Sequence, residues 1–219
     1  MSNITNESVS ELIAELYRAP DDALAAMRNA LEEEGIPIIR RDTERLIVTL
    51  LKKNKPERIL ELGTAAGYSA AVMAKTLPQA GIITVDSDDR AVRRASAAMD
   101  ELGHSGQVRV IGGEASAVMD RMIFTGEEHF DFVFIDAGKS HYREFWDRAV
   151  KLTGHDSLIV CDNVFMDGAV ADESFNEKGH RNRTILRNMG SFLEYLVSWD
   201  GAETCVLPAG DGLTISWIK

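Results

Sequence analysis

The chain has 219 residues, of which 45% are hydrophobic and 27% charged, and a net charge of −11. Such a balance belongs to a soluble globular protein with room for a substantial core, and its acidity argues against indiscriminate nucleic-acid binding. No apolar run approaches the roughly 20 residues that cross a bilayer, so no membrane partner is expected.

Met1 to Glu7 carries neither a basic region nor an apolar core, so no export signal is expected and the sequence reads as cytoplasmic. Cys161 and Cys205 lie in separate apolar runs and are read as buried free thiols. Residues 1–57 read as a helical N-terminal part and 58–219 as a cofactor-binding and catalytic core, together one domain over 1–219. Asp21 or Asp22 can cap a helix running through Glu34, with Leu24, Met27 and Leu31 on one face and Gly35 as its stop. Ile36-Pro37-Ile38-Ile39 reads as an extended link, because a residue before proline avoids the helical region. Asp42 then caps a helix from Thr43 to about Asn54, with Leu46, Ile47, Leu50 and Leu51 at helical spacing.

From Arg58 onward, strands and helices alternate. Apolar runs at Ile59–Leu62, Ile82–Asp86, Val108–Ile111, Phe132–Asp136 and Leu158–Asp162 predict strands. Helical patterns fall at about Tyr68–Leu77, Asp89–Leu102, Glu114–Met122 and His141–Leu152. Short apolar strands separated by helices predict a parallel sheet covered on both faces. A polar stretch from Asp162 to His180 precedes a helix from about Arg181 to Val197. Thr204–Leu207 and Leu213–Ile218 flank Pro208-Ala209-Gly210-Asp211-Gly212 and read as a β-hairpin. The expected fold is α/β, a Rossmann-like methyltransferase fold. It has a seven-stranded, mostly parallel sheet, a C-terminal antiparallel hairpin and extra N-terminal helices.

The run Glu61-Leu62-Gly63-Thr64-Ala65-Ala66-Gly67-Tyr68-Ser69 joins a strand to a helix N-terminus through a glycine turn. Its glycines let the backbone approach a ligand closely. The spacing is not the Gly-x-Gly-x-x-Gly of dinucleotide enzymes, so a nucleoside cofactor without a pyrophosphate fits better, S-adenosylmethionine foremost. Asp86 ends the next strand, where a carboxylate can hold ribose hydroxyls. Asp136 and Asp162 close two further strands at the same edge, and Asn163 follows. Two carboxylates and an amide oxygen are hard ligands suited to Mg²⁺ or a similar divalent cation. Their bland alternative is to cap the following helices. Lys139, between the metal candidates, is able to accept a proton from a substrate hydroxyl, or is simply solvated. His141 could orient substrate or cap a helix, and Asp211 reads as a turn residue.

With these motifs in order, residues from about Ile36 to Lys219 resemble the small bacterial O-methyltransferases related to catechol and caffeoyl-coenzyme A O-methyltransferases. The resemblance rests on Leu60-Glu61-Leu62-Gly63 with Gly67-Tyr68-Ser69, Asp86, Asp136-Ala137-Gly138-Lys139, Asp162-Asn163 and Gly210-Asp211-Gly212. It implies that Glu61, Gly63 and Ser69 surround the methionine part of the cofactor with Ile39 against its end, that Asp86 holds the ribose, and that Tyr68 and Asp136 also belong to the cofactor site. It also implies that Gly113-Glu114-Ala115 lines the adenine, that Asp136, Asp162 and Asn163 hold the metal, and that Lys139 is the general base. Homodimers are what the family likeness implies for assembly.

Two departures from the catechol enzymes argue against a small catechol as acceptor. Ala137 and Gly138 replace a histidine and a tryptophan, and the segment after Asn163 is longer and more basic. Lys178-Gly179-His180-Arg181-Asn182-Arg183-Thr184-Ile185-Leu186-Arg187 reads either as a solvated face or as a phosphate-contacting surface through Arg181, Arg183 and Arg187. With Asn182-Arg183 and the terminal Leu207-to-Leu213 run, it looks most like the bacterial subgroup that methylates 5-hydroxyuridine at the tRNA wobble position. The tRNA anticodon loop is therefore the favoured acceptor and a small catechol or polyphenol the alternative. A nicotinamide dehydrogenase and a non-catalytic cofactor-binding protein are the readings from other classes, disfavoured by the glycine spacing and by the intact metal and lysine set.

Overall fold

The computed structural model describes residues 6–126, 129–171 and 183–219. Helices α1 (Glu7–Leu16), α2 (Asp22–Glu33) and α3 (Arg41–Asn54) lead in. Five parallel strands follow: β1 (Arg58–Leu62), β2 (Gly81–Asp86), β3 (Val108–Gly112), β4 (Phe130–Ile135) and β5 (Thr153–Asp162). Helices α4 (Tyr68–Thr76), α5 (Asp89–Glu101), α6 (Ala115–Thr125) and α7 (Tyr142–Leu152) connect them in turn. Helix α8 (Arg183–Ser198) and the hairpin β6 (Ala202–Leu207) and β7 (Leu213–Ile218) complete the chain.

The sheet runs β3-β2-β1-β4-β5-β7-β6. Strand β7 inserts antiparallel between β5 and β6, with Leu213 opposite Asp162. The order reverses at β1, so the carboxyl ends of β1 and β4 open a crevice of the kind in which α/β sheets bind ligands.

Alternation along the strands explains the two apolar layers. Ile59, Ile82, Phe132, Phe134 and Val160 face α2, α3 and α4. Leu60, Leu62, Val85, Val133, Ile135 and Ile159 face α6, α7 and α8. Strands buried on both sides read in sequence as unbroken apolar runs. Cys161 is buried as expected, but Cys205 is exposed, because β6 is an edge strand with one face toward solvent.

At α2 the Asp21 side chain accepts the Leu24 N–H, as a cap should. Helix α3 starts earlier than expected: Arg40 is its cap residue and Asp42 lies within the first turn. The Asp42 carboxylate is shared, with Oδ1 accepting the Thr43 N–H at 2.9 Å and Oδ2 the distant Gly210 N–H at 2.7 Å.

A buried polar network fixes the helical lead-in to the sheet. The Arg28 guanidinium donates to Glu44 Oε2 at 2.6 Å, to the Tyr68 hydroxyl at 3.1 Å and to the Ile39 carbonyl at 3.0 Å. Tyr17 and Tyr68 also donate their hydroxyls to Glu44. Four helices thus converge on the link at residues 36–40, the segment that borders the crevice. Among the described residues, no helix is long and apolar enough to cross a membrane.

Candidate active site

Hydrogen bonds lock the strand ends together. Gly63 N–H donates to the Val85 carbonyl and Asp136 N–H to the Leu62 carbonyl, both at 2.9 Å. Gly63 has φ +98°, and a Cβ there would overlap the Asp136 backbone. Gly67, at φ +82°, starts α4 where a Cβ would meet Ala95 and Met99 of α5 at 3.1 and 3.2 Å. Both glycines are therefore demanded by close backbone approach as well as by conformation.

A cavity of about 460 Å³ opens above this turn. Its walls include Ile39, Gly63, Tyr68 and Ser69 on one side, and Asp86, Glu114 and Ala115 along the β2 and β3 ends. Asp136, Lys139, Asp162 and Asn163 close it on the β4 and β5 side. Every expected cofactor residue except Glu61 and Gly113 meets at one cavity.

Glu61 lies beneath it, with 0% exposure. Burial pushes its carboxyl up to about 7, against hydrogen bonds from Ser69 and Thr84 that favour the ionised form. Its Oε1 has no partner among the described residues. Asp86 is more committed than the sequence suggests: Oδ2 accepts the Thr64 and Ala65 N–H groups at 3.0 and 2.9 Å, and Oδ1 accepts Asp88 N–H at 3.0 Å. It shapes the glycine turn while still facing the cavity.

At the other end, Lys139 Nζ donates to Asp136 Oδ1 at 3.0 Å and to Asn163 Oδ1 at 2.7 Å. These three side chains meet at one point. Asp162 is 2% exposed, and its Oδ1 accepts the Asn163 N–H at 2.8 Å. Tyr142 ties the two strand ends together, donating its hydroxyl to the Asp162 carbonyl at 2.6 Å. Burial raises the carboxyls of Asp136 and Asp162; the Lys139 ammonium works against the rise at Asp136, and the Asp136 charge adds to it at Asp162. Buried carboxylates in excess of nearby cations, joined by an amide oxygen, form a donor set that fits a hard divalent ion. Among the described residues there is no group of three or more His, Cys, Asp or Glu placed to hold a metal; Asn163 is the third donor.

His141 lines the cavity and stands at the α7 start without a side-chain cap bond. Arg183 and Arg187 are exposed on α8, which packs against the turn Lys139–His141. Arg181 lies outside the described residues. Sequence reasoning did not single out Arg40 and Phe145 as cavity residues. Arg40 carries only the signal of a cation beside a helix start, and Phe145 only the apolar signal of its helix.

An α/β sheet with a nucleoside-sized cradle and an acidic group sharing one edge is a Rossmann-like architecture with its ligand site at the strand ends. The model of the O-methyltransferase family matches residues 15–218. A catechol O-methyltransferase of Niastella koreensis is 38% identical over 180 residues, 81% of each chain. A caffeoyl-CoA O-methyltransferase of Populus kitakamiensis is 27% identical over 97% of this chain and 94% of its own. Among solved structures, the O-methyltransferase TomG of Streptomyces achromogenes, involved in tomaymycin synthesis and in complex with SAM, superposes with a TM-score of 0.81. It is 26% identical over 97% of this chain and 96% of its own. The chain belongs to the O-methyltransferase family, whose members are S-adenosylmethionine-dependent enzymes.

Proposed function

We propose that the protein methylates a hydroxyl of a small aromatic acceptor bearing a second oxygen beside it, a catechol or related polyphenol. One observation carries the reading: Lys139 Nζ stands between Asp136 Oδ1 and Asn163 Oδ1 in the cavity that begins at the Gly63 turn. S-adenosylmethionine, bound along Ile39, Tyr68, Ser69, Asp86, Glu114 and Ala115, supplies a methyl group on a positively charged sulfur. Asp136, Asp162 and Asn163 would hold Mg²⁺ or another divalent ion, which supplies Lewis acidity toward neighbouring acceptor oxygens. Lys139, as a neutral amine, would take the acceptor hydroxyl proton and become the ammonium that Asp136 Oδ1 and Asn163 Oδ1 can accept from. The acceptor oxygen then bonds to the methyl carbon while the carbon–sulfur electron pair returns to sulfur. The chain's main contribution is placement, which can supply roughly 7–11 kcal/mol.

Sequence alone favours tRNA 5-hydroxyuridine, and the curated relatives reverse that order, since they are named for catechol and caffeoyl-CoA substrates. The tRNA reading keeps one support: Arg40 at the cavity, 43% exposed, and the exposed Arg183 and Arg187 on the helix packed against the Lys139 turn. A flipped wobble base would present its hydroxyl beside a carbonyl oxygen, as a catechol presents two oxygens. Labelled S-adenosylmethionine offered with simple catechols, and separately with tRNA lacking the modification, decides between them. Transfer to catechols with a flat salt response supports the proposal. Transfer only to tRNA, falling steeply with salt, replaces it with the second reading. The expected homodimer is supported by Val9, Leu12 and Leu16, an exposed apolar stripe on α1, and light scattering at the 24.1 kDa monomer mass would overturn it.

A further inference from the structure

We propose that Asp211, in the turn between β6 and β7, is a positioning residue for the reaction. Its carboxylate pins the left-handed corner after β5, and that corner fixes Asn163 beside Lys139. The inference rests on the reading above, in which Asn163 and Lys139 work on the acceptor.

The corner is conformationally expensive. Asn163, Met166 and Asp167 have φ of 56°, 50° and 55°, a left-handed backbone that non-glycine residues rarely adopt. Such residues persist only where their surroundings over-determine them. Here the opposite turn does so. Asp211 Oδ1 accepts the Asp167 N–H at 2.6 Å. The Asp211 carbonyl accepts the Phe165 N–H, and the Gly212 carbonyl accepts the Val164 N–H, both at 3.0 Å. Two residues of one turn therefore hold three donors of the corner, at 164, 165 and 167.

An ordinary hairpin turn residue is solvated, yet Asp211 is only 7% exposed. A buried carboxylate is costly unless its hydrogen bonds use it. Asp211 does not line the cavity, so it acts through the corner. At the near end of that corner, Asn163 Oδ1 accepts from Lys139 at 2.7 Å. At its far end, Arg40 approaches both Asp167 Oδ1 and the Gly210 carbonyl at 3.5 Å, linking the corner to the 36–40 segment of the cavity wall.

The test compares Asp211→Ala, Asp211→Asn and the double variant Asp211→Ala/Asp167→Gly. Asparagine keeps the Oδ1 acceptor, and glycine at 167 adopts the left-handed corner without a pin. The Asp167 side chain is 73% exposed, and its loss gives up only the 3.5 Å approach of Arg40, an exposed pair of the kind that contributes about 0–1 kcal/mol. Turnover with whichever acceptor wild type uses, Mn²⁺ binding by electron paramagnetic resonance and S-adenosylhomocysteine binding by calorimetry are measured together. Asp211→Ala should lose about 10- to 100-fold in kcat and in Mn²⁺ affinity, the effect of misplacing a supporting partner. Cofactor affinity should stay unchanged. Both the asparagine variant and the second-site glycine should recover most of the loss.

Wild-type turnover and Mn²⁺ affinity in Asp211→Ala overturn the inference. So does a loss that neither partner variant recovers, or one matched by loss of cofactor binding, either of which makes Asp211 a residue of the fold in general. Should Asp211→Ala fail to fold, Asp211→Asn and the double variant carry the test: impaired turnover in both overturns it. Inactive wild type with every acceptor sinks the functional reading itself, whereas active wild type beside an unaffected Asp211→Ala sinks only this inference.

Discussion

Replacing Arg28 with methionine removes the charge at the centre of the lead-in network while keeping an apolar stem of similar length. Arg28 is 3% exposed and Glu44 0%, so the ion pair is buried. The substitution deletes donors to Glu44, Tyr68, Glu32 and the Ile39 carbonyl. Glu44 is left as a buried carboxylate with only the Tyr17 and Tyr68 hydroxyls. Breaking a buried pair from one side costs roughly 3–5 kcal/mol. In a chain of this size each kcal/mol moves Tm by about 2–4 °C, so a fall of roughly 6–20 °C is expected. The exposed Arg94–Glu34 pair, 42% and 50% exposed, is the control. Such pairs contribute about 0–1 kcal/mol, and Arg94→Met should shift Tm by no more than about 4 °C. Pairing Arg28→Met with Glu44→Leu should recover much of the loss, because an apolar pair is often as stable as a buried ionic one. Thermal melts followed by circular dichroism check all three. A single variant that melts like wild type, or a double variant no better than the single, would refute the reasoning.

Three further outcomes follow from the site. Lys139→Ala should lower turnover by about 100-fold or more, the usual contribution of a positioned base, with S-adenosylhomocysteine affinity intact by calorimetry. Unchanged turnover removes Lys139 as the base. Gly63→Ala would drive a Cβ into the Asp136 backbone, so cofactor binding should be abolished in calorimetry; an unaltered isotherm contradicts the packing. Glu61, pushed up to about 7 by burial, binds its proton more tightly folded than unfolded. Its stabilising contribution is therefore full below the unfolded carboxyl range and is lost as pH rises through about 7. Glu61→Gln should flatten the decline of unfolding free energy between pH 5 and 8 by an amount on the order of 3 kcal/mol, and an identical pH profile in denaturant titrations would count against the burial account.

Much of the fold was legible because its signals are local. The runs at Ile59–Leu62 and Phe132–Asp136 are apolar on both strand faces, and Gly63 and Gly67 mark the turn from the first of them into α4. The strand-end positions of Asp86, Asp136 and Asp162 followed from the same pattern, and all three reach the cavity. What escaped depends on contacts distant in sequence. Arg28, Glu44 and Tyr68 meet across 40 positions, and nothing near each residue announces the others. Insertion of β7 between β5 and β6 is decided by pairing rather than by the hairpin's own sequence. Asp42 looked like a helix cap because its residue type suits one, yet its Oδ2 is claimed by Gly210, a partner 168 residues away. Asp211 looked like a solvated turn residue for the same reason: its burial comes from the loop after β5 that folds over it.

The central claim is that one edge of the sheet seats an adenosine-bearing methyl donor and a divalent cation side by side. Crystals grown with S-adenosylhomocysteine and Mn²⁺ test it directly through an anomalous difference map. The account predicts a manganese peak within coordination distance of Asp136, Asp162 and Asn163, with the adenosine lying between Asp86 and Glu114. A peak elsewhere, or density for the nucleoside outside the cavity above Gly63, would contradict it.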